Sequence, residues 1–209
     1  QSYSEKEMER ALRNAKLDFH QSADVEADIA KILSQGKIVA RFNGPMEYGP
    51  RALGNRSIFY AATDRTVNDW LNKQLARSEF MPFAPILLKS RAPAFFKAFK
   101  PDASMAAEFM TATYDVTDRC KAEAPAITHV DGTARPQIVT EQTNPSAARV
   151  LAEYEQLTGR CILVNTSFNM HEEPIVCTPE DAIRAFLLGR LDTLAMGPYL
   201  VHLDRSAKP

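Results

Sequence analysis

The sequence contains little of what marks several large classes of protein. It has only three cysteines, at positions 120, 161 and 177, and no Cys-x-x-Cys pair. An odd and scattered set of this kind predicts reduced thiols in a cytoplasmic protein rather than a disulfide scaffold. The formal net charge of -1 gives no reason to expect a nucleic-acid or membrane partner. No apolar run is long enough to span a bilayer, and no signal peptide is recognisable.

The remaining composition is typical of a folded globular chain. Hydrophobic residues make up 45% of the 209 residues, which is enough for one substantial core. The chain begins at Gln1 without an initiator methionine, so we expect it to be an excised piece of a longer protein. We predict an N-terminal helical segment over residues 1–35 and one α/β domain over residues 36–204.

Apolar periodicity predicts helices that alternate with strands. Predicted helices cover residues 4–17, 24–33, 65–77, 91–100 and 147–157, and another begins at Thr178. Asn144 before Pro145 is the expected start of the helix that contains residues 147–157, and Gly159 is its expected end. Predicted strands cover residues 37–43, 57–62, 86–88, 109–115, 136–140, 160–164, 193–196 and 199–203. This alternation favours an α/β sheet with polar segments at the strand ends, where ligands commonly bind.

The first polar segment is a glycine-rich loop over residues 44–57, between two predicted strands. Gly44, Gly49 and Gly54 recur at the spacing of a phosphate-binding loop, where the missing Cβ lets backbone N–H groups approach an anion. A Walker A loop also needs Lys-Ser/Thr after its second glycine and a helix behind it. Here Pro50 follows Gly49 and a strand follows the loop, so this is not a P-loop.

Two arginines are the strongest functional signal of that loop. Guanidinium groups on a stiff backbone favour bidentate contacts to phosphate or carboxylate, and Arg51 and Arg56 lie in the loop with Ser57 beside them. The alternative is structural, because the two arginines would also form salt bridges with Glu47 and Asp64 that tie the loop down. The residues alone leave both interpretations open.

Two further polar segments lie next to predicted strands, over residues 129–135 and 165–169. Their candidate side chains are His129, Asp131, Arg135, Asn165, Ser167 and Asn169. If a sheet brings all three polar segments to one edge, they form an anion site without a catalytic triad or paired carboxylates. Such a site suits electrostatic stabilisation of phosphoryl or acyl-phosphate groups.

Each segment also has a plain structural interpretation. Residues 165–169 can be a polar turn after a strand. His129 and Asp131 favour a loop hydrogen bond over a metal site, and His171 with the two acids behind it favours a solvated loop. Lys37 either reaches a phosphate or faces solvent. The sequence predicts no metal site built from protein side chains.

At these polar segments the chain resembles the C-terminal domain of the O-carbamoyltransferases of nodulation-factor and antibiotic biosynthesis. The similarity runs from about residue 32 to residue 201 and is strongest over residues 42–58, 82–85, 129–137 and 165–186. Its most specific strings are Gly-Pro-Arg-Ala-Leu-Gly-Asn-Arg-Ser and Asn-Thr-Ser-Phe-Asn.

The resemblance implies both a fold and an activity. The fold would be YrdC/Sua5-like, that is α/β with an open twisted mixed sheet, flanking helices and a concave basic nucleotide site. There ATP and carbamoyl phosphate would be joined into carbamoyl-adenylate with release of pyrophosphate, and Mg²⁺ would accompany the triphosphate. A separate N-terminal domain of the actin/sugar-kinase type, which this chain does not match, would transfer the carbamoyl group to a hydroxyl acceptor.

The resemblance also implies roles for particular residues. Arg56, Arg135, Asn165 and Ser167 fall on positions that contact ligands in the family. Arg56 and Arg135 would hold carbamoyl phosphate, while Asn165 and Ser167 would orient its carbamoyl group. The further residues expected to contact substrate or nucleotide are Arg51, Ser57, Lys37, Arg77, Asn169, His129 and Asp131.

One departure from the family concerns positive charge. Many members have lysine and arginine shortly before Pro-Phe-Ala-Pro, where this chain has Leu75 and Met81. The two missing cations would either weaken the binding of a triphosphate or be replaced by Lys73 and Arg77.

Two other functions remain open from the sequence. One is a stand-alone synthase of threonylcarbamoyl-adenylate for tRNA modification. The other is a nucleotide-binding or RNA-binding module without turnover, and the absence of a broad basic patch counts against RNA.

Overall fold

A mixed β-sheet organises the chain. The computed structural model describes residues 2–75, 83–103 and 105–203. Their strands are β1 (His20–Gln21), β2 (Val39–Phe42), β3 (Arg56–Ala61), β4 (Ala84–Leu88), β5 (Tyr114–Asp115), β6 (Thr133–Ala134), β7 (Gln137–Val139), β8 (Ile162–Ser167), β9 (Thr193–Met196) and β10 (Tyr199–His202). The main sheet has the order β1-β10-β9-β2-β3-β8-β4-β7, and β5 pairs with β6 in a separate ribbon.

Helices flank this sheet. The α-helices in the described ranges are α1 (Glu5–Asn14), α2 (Val25–Ser34), α3 (Thr66–Gln74), α4 (Met105–Glu108), α5 (Asp118–Glu123), α6 (Pro145–Thr158) and α7 (Pro179–Leu188). Short 3₁₀ turns lie at Ala92–Ala94, Pro101–Ala103 and Pro125–Ile127. Within these ranges, no helix has the length and apolar character that a bilayer crossing requires.

The middle of the sheet is antiparallel and its outer pairs are mixed. β3 is antiparallel to both β2 and β8, and β8 is antiparallel to β4. β2 runs parallel to β9, and β4 runs parallel to β7. The sheet is open, with β1 and β7 at its two edges. The predicted α/β class, with an open mixed sheet and flanking helices, is confirmed.

Each face of the sheet carries its own apolar layer because side chains alternate along a strand. On β8, Leu163 packs into the layer formed with α2 and α6. Its neighbours Ile162 and Val164 pack on the opposite face, in the layer that includes α1 and α7. The helices of each pair also contact one another.

The N-terminal residues are packed into both layers. Met8 and Ala11 of α1 are buried on the face of α7, whereas Ile29 and Leu33 of α2 are buried on the face of α6. β1 pairs with β10 and so extends the sheet at its edge. Residues 1–35 therefore contribute a strand as well as the predicted helices.

Helix starts follow their capping signals. Asn144 caps α6 by accepting the N–H of Ala147, and Gly159 ends that helix with a left-handed φ of 71°. Thr178 and Asp181 form a reciprocal capping box at the start of α7. Both starts and the end of α6 are confirmed.

Two predicted elements between β4 and β6 are wrong. Residues 91–100 form only a 3₁₀ turn, because the N–H of Lys97 donates to the carbonyl of Asp115 and Ala98 adopts a φ of 54°. The predicted strand over residues 109–115 shortens to β5, since Met110 adopts a φ of 55° behind α4. Pairing with distant backbone replaces the local pattern at residues 91–100. At residues 109–113 a local turn behind α4 replaces it, in which the N–H of Thr111 donates to the carbonyl of Ala106.

Leu163 is fully buried in β8, between the sheet and the pair α2 and α6. We predict that Leu163→Ala lowers the free energy of unfolding by about 2 to 5 kcal/mol, because apolar contact is lost and a cavity remains. Urea denaturation followed by circular dichroism measures this change. The control is Leu157→Ala on α6, where Leu157 is 56% exposed and a change below about 0.5 kcal/mol is expected. Equal losses in the two variants would contradict the layer assignment.

Candidate functional site

The three polar segments meet at one rim of the main sheet. β2 ends and β3 begins there, and residues 43–55, here called the rim loop, join them. β8 ends at the same rim, with Ser167 paired to Ser57 of β3. β4 begins opposite Asn165, and β7, which Arg135 precedes, runs parallel to β4. Strand direction therefore collects segments that are far apart in the sequence.

The rim loop has no regular structure, so side chains satisfy much of its backbone. Oε1 of Glu47 accepts the N–H groups of Leu53 at 2.6 Å and of Asn55 at 2.7 Å. Oγ of Ser57 accepts the N–H of Gly54 at 2.9 Å. Ser57, predicted to contact substrate, is thus a brace of the loop.

Amide side chains from the sheet bind the loop carbonyls. Nε2 of Gln137 donates to the carbonyl of Leu53 at 2.7 Å. Nδ2 of Asn165 donates to the carbonyl of Ala52 at 3.1 Å and to Oε1 of Gln137 at 2.6 Å. The loop is therefore fixed to the first residue of β7 and to a buried residue of β8.

The start of α6 closes the loop from the side. Nδ2 of Asn144 donates to the carbonyl of Leu53 at 3.3 Å and to Oδ1 of Asn55 at 3.1 Å. Gly54 adopts a φ of +110°, and a Cβ at this position would lie 3.0 Å from that Nδ2. Glycine is needed here both for its conformation and for the close approach.

Arg56 anchors the rim loop. Its side chain is fully buried, and its Cζ lies 3.6 Å from the centroid of the Phe42 ring. Nη1 donates to the carbonyl of Asn43 at 2.8 Å, and Nη2 donates to the carbonyl of Gly44 at 3.2 Å. Burial lowers the pKa of Arg56. The structure thus separates Arg56 from the other residues predicted to contact carbamoyl phosphate.

A cavity of about 260 Å³, here called the rim cavity, opens beside the loop. It is lined by five predicted site residues, namely Arg51, Arg135, Asn165, Ser167 and Asn169. Its remaining described lining consists of Pro50, Ala52, Phe83, Ala84, Met110, Thr166, His171 and Glu172. The structure brings together most of the predicted positions, with Arg51 rather than Arg56 as the loop arginine.

Arg51 and Arg135 give the rim cavity its positive charge. Across the described residues, neither arginine forms an ion pair or a hydrogen bond. Burial lowers the pKa of Arg135, and the nearby charge of Arg51 lowers it further. Two partly buried guanidiniums that form no ion pair with a carboxylate of the described residues are suited to binding an anion.

Polar groups of β8 complete the rim cavity. Asn165 is 1% exposed, and its Oδ1 is buried without a hydrogen-bond partner in the part of the chain described. Oγ of Ser167 donates to Oδ1 of Asn169 at 2.5 Å, and Nδ2 of Asn169 donates to the carbonyl of Glu173 at 3.0 Å. A buried acceptor that lacks a donor costs stability, so the Asn165 amide favours a ligand that donates.

His129 and Asp131 line a second cavity of about 460 Å³, next to α3. Oδ1 of Asp131 accepts the N–H of Thr133 at 3.0 Å, and Nδ1 of His129 lies 3.1 Å from Oγ1 of Thr133. These bonds shape the turn before β6. Burial lowers the pKa of His129, and the charge of Arg135 adds to that effect.

Lys37, a predicted cation of the site, does not line the rim cavity. Lys37 is exposed and precedes β2, whereas the rim loop follows β2, so the length of the strand separates them. Burial lowers the pKa of His202, and the charges of His20 and Lys37 lower it further, which places Lys37 near β10. Arg77 lies outside the described residues, as does Met81.

The residues that hold the site together are not predicted from the sequence. The sequence predicts Glu47 only as a salt-bridge partner, and it predicts no role at the loop for Gln137 or Asn144. A signal was present at Glu47, which lies within residues 42–58, a stretch of strong similarity to the family, two residues before its most specific string. No group of three His, Cys, Asp or Glu side chains among the described residues is arranged to hold a metal ion.

Arg56 and Arg135 should affect stability in opposite ways. Arg56→Gln removes the stacking on Phe42 and leaves loop carbonyls unpaired, so the free energy of unfolding should fall by at least about 2 kcal/mol. Arg135→Gln removes a charge that Arg51 repels, so the free energy should stay within about 0.5 kcal/mol or rise. Urea denaturation of both variants measures the changes. A larger loss for Arg135→Gln would contradict these roles.

The sequence matches the family model Carbamoyltransferase C-terminus over residues 30–203. Nodulation protein NolO of Bradyrhizobium diazoefficiens is 39% identical over 196 residues, covering 93% of this chain and 35% of NolO. Nodulation protein U of Rhizobium fredii is 40% identical over 159 residues, covering 76% of this chain and 26% of that protein. The chain thus spans about a third or less of the length of these curated relatives.

Two solved structures resemble the fold. Full-length HypF in its phosphate- and nucleotide-bound form aligns with a TM-score of 0.56 at 18% identity, covering 86% of this chain and 22% of HypF. Sua5 of P. abyssi complexed with L-threonine aligns with a TM-score of 0.58 at 14% identity, covering 83% of this chain and 46% of Sua5. At such identities the likeness shows the fold alone, and it confirms the predicted YrdC-like architecture. The sequence matches show the family: the chain is a carbamoyltransferase C-terminal domain.

Proposed function

We propose that this domain joins carbamoyl phosphate and ATP into carbamoyl-adenylate, from which a separate N-terminal domain carbamoylates a hydroxyl acceptor. The observation that carries the proposal is the pair Arg51 and Arg135, which face the rim cavity without an acidic partner among the described residues. Charge that the protein leaves unneutralised in a cavity raises the local concentration of anionic ligands.

The reaction balances when one water is consumed. Carbamoyl phosphate, ATP and water give carbamoyl-adenylate, pyrophosphate and phosphate. Water first releases phosphate from carbamoyl phosphate and leaves carbamate. A carbamate oxygen then bonds to the α-phosphorus of ATP, and the bond from that phosphorus to the bridging oxygen breaks with its electron pair on pyrophosphate. Such steps ask the protein for positioning and charge neutralisation rather than for a covalent intermediate.

The lining side chains have the chemistry for these tasks. Arg51 and Arg135 would bind phosphate oxygens and offset the charge that develops on the leaving groups. Oδ1 of Asn165, buried and without a donor in the described part of the chain, would accept a hydrogen bond from the carbamoyl NH₂. Ser167 and Asn169, joined by their hydrogen bond, would orient the same group.

Mg²⁺ would bind mainly through the triphosphate, since this ion commonly takes one or two carboxylates besides phosphates and waters. Glu172 is a carboxylate among the described lining residues of the rim cavity and would supply such an oxygen. The bound ion would neutralise phosphate charge. Because the lining offers an acid beside the two arginines, it fits a metal carried by the substrate.

The nucleoside and the acceptor would lie beyond the rim cavity. His129 and Asp131 stay predicted nucleotide contacts, at the second cavity. The relatives are about three times longer than this chain or more, which leaves room in such proteins for a transfer domain that selects the hydroxyl acceptor. Arg56 would act only indirectly, by holding the loop that carries Arg51.

Isotope exchange tests the proposed chemistry. With Mg²⁺ present, the chain should exchange labelled pyrophosphate into ATP when carbamoyl phosphate is added, because reversal of adenylate formation regenerates ATP. A folded chain that binds both substrates yet shows no exchange would refute the proposal. Exchange that instead requires threonine and bicarbonate would assign the chain to threonylcarbamoyl-adenylate synthesis.

The arginines of the rim cavity should control the rate of that exchange. Arg135→Gln and Arg51→Gln should each lower the exchange rate at saturating substrates by about 100-fold, as loss of one charge-stabilising donor does elsewhere. The matched control is Arg10→Gln on α1, an exposed arginine far from the rim in the sequence and on another element. Exchange that is unchanged in both rim variants would exclude the cavity as the site.

A further inference from the structure

Glu47 holds the rim loop closed from within. Its Oε1 accepts the N–H groups of Leu53 at 2.6 Å, Asn55 at 2.7 Å and Arg56 at 3.2 Å. Several backbone N–H groups that converge on one oxygen make the kind of cradle that irregular loops offer to phosphate. In this chain the loop fills the cradle with its own carboxylate.

Glu47 also offsets two buried positive charges. Burial lowers the pKa of Arg41 to about 10, and it lowers the pKa of Arg56 as well. The charges of Glu26 and Glu47 oppose the shift at Arg41, and that of Glu47 opposes the shift at Arg56. Oε2 of Glu47 is buried and has no hydrogen-bond partner among the described residues. The negative charge of Glu47 thus stabilises the positive charges of Arg41 and Arg56, although Glu47 forms no ion pair with either of them.

The turn that Glu47 closes is the turn that carries Arg51. The contact from Glu47 to the N–H of Leu53 spans it, and the carbonyl of Ala52 is held from below by Asn165. Ala52 is 3% exposed, whereas Arg51 beside it lines the rim cavity. The peptide unit between Ala52 and Leu53, which follows Arg51 along the chain, is therefore held at both its C=O and its N–H.

We infer that Glu47 is a positioning residue for anion binding: without touching the ligand, it sets where Arg51 stands in the rim cavity. This inference rests on the anion-binding part of the proposed function. Glu47 occupies the backbone N–H groups of the loop in place of an anion. An external anion therefore binds to Arg51 and not to those N–H groups.

Charge and position make opposite predictions for the loss of this carboxylate. On charge alone, Glu47→Gln makes the rim more positive and should tighten the binding of an anion. If Glu47 positions Arg51, the variant should bind more weakly, because the loop no longer holds the guanidinium at the cavity.

Calorimetric titration of the 209-residue chain with inorganic pyrophosphate separates the two cases. We expect Glu47→Gln to bind pyrophosphate at least tenfold more weakly than the wild-type chain. Hydrogen exchange should be at least tenfold faster at the amides of Leu53, Asn55 and Arg56, while amides of β8 stay protected. Asp118→Asn is the charge-matched control, because Asp118 lies on α5 with a side chain that is 99% exposed and does not line the rim cavity. That control should bind pyrophosphate within about twofold of the wild-type chain.

Glu47→Asp keeps the charge and changes only the reach, so it decides the question even if Glu47→Gln fails to fold. An aspartate is one methylene shorter and cannot keep all three amide contacts, so binding at least threefold weaker is expected. Unchanged or tighter binding in a folded variant, or unchanged exchange at the three amides, would overturn the inference. A wild-type chain that binds no pyrophosphate would overturn the proposed function as well, whereas wild-type binding with unaffected variants would overturn only the role of Glu47.

Discussion

The satisfaction of backbone polar groups in the rim loop is the constraint on which the site depends. The loop crosses a strand end without forming a helix or a strand, so its N–H and C=O groups need partners from side chains. Glu47 and Ser57 accept from its amides, while Gln137, Asn165 and Arg56 donate to its carbonyls. These partners come from three strands of the sheet and from the loop itself. The loop is irregular in conformation, but side chains of the sheet and of the loop itself hold much of its backbone.

This bracing lets the rim keep two cations that the protein does not neutralise. Arg41 and Arg56 are buried on opposite faces of the sheet end, with Phe59 and Phe42 beside them, and serve the fold. Arg51 and Arg135 face the rim cavity and repel one another, which costs stability in the absence of an anion. A division of this kind, between arginines that hold the loop and arginines that face a cavity, is expected where binding is mainly electrostatic.

Local signals in the sequence predicted the elements that depend on local physics. The start of α7 and both ends of α6 follow from capping residues and glycine, and the strands next to the rim follow from short apolar runs. One failure lies at residues 91–100, where backbone groups pair with residues that are distant along the chain. The other lies at residues 109–115, where a turn behind α4 with a left-handed Met110 shortens the strand. Of the candidate site, the convergence of three polar segments was predictable from strand ends. The distance of Lys37 from the site was not predictable. The sequence does not show which end of a strand lies at the rim until its neighbouring strands are known.

The sequence by itself determined the family, the fold class and the set of polar side chains from which a site is built. Specific strings and apolar alternation depend only on residues that are neighbours along the chain. Only the tertiary structure decided which loop arginine faces the rim cavity. Arg51 and Arg56 are equivalent in composition, but Arg56 is the first residue of β3 and is paired with Phe42 across the strands, so alternation directs it to that ring. Arg51 precedes the strand, and the closed turn leaves its side chain at the rim cavity. The face of the sheet on which a side chain lies depends on how the strands pair, and strands pair only in the folded sheet.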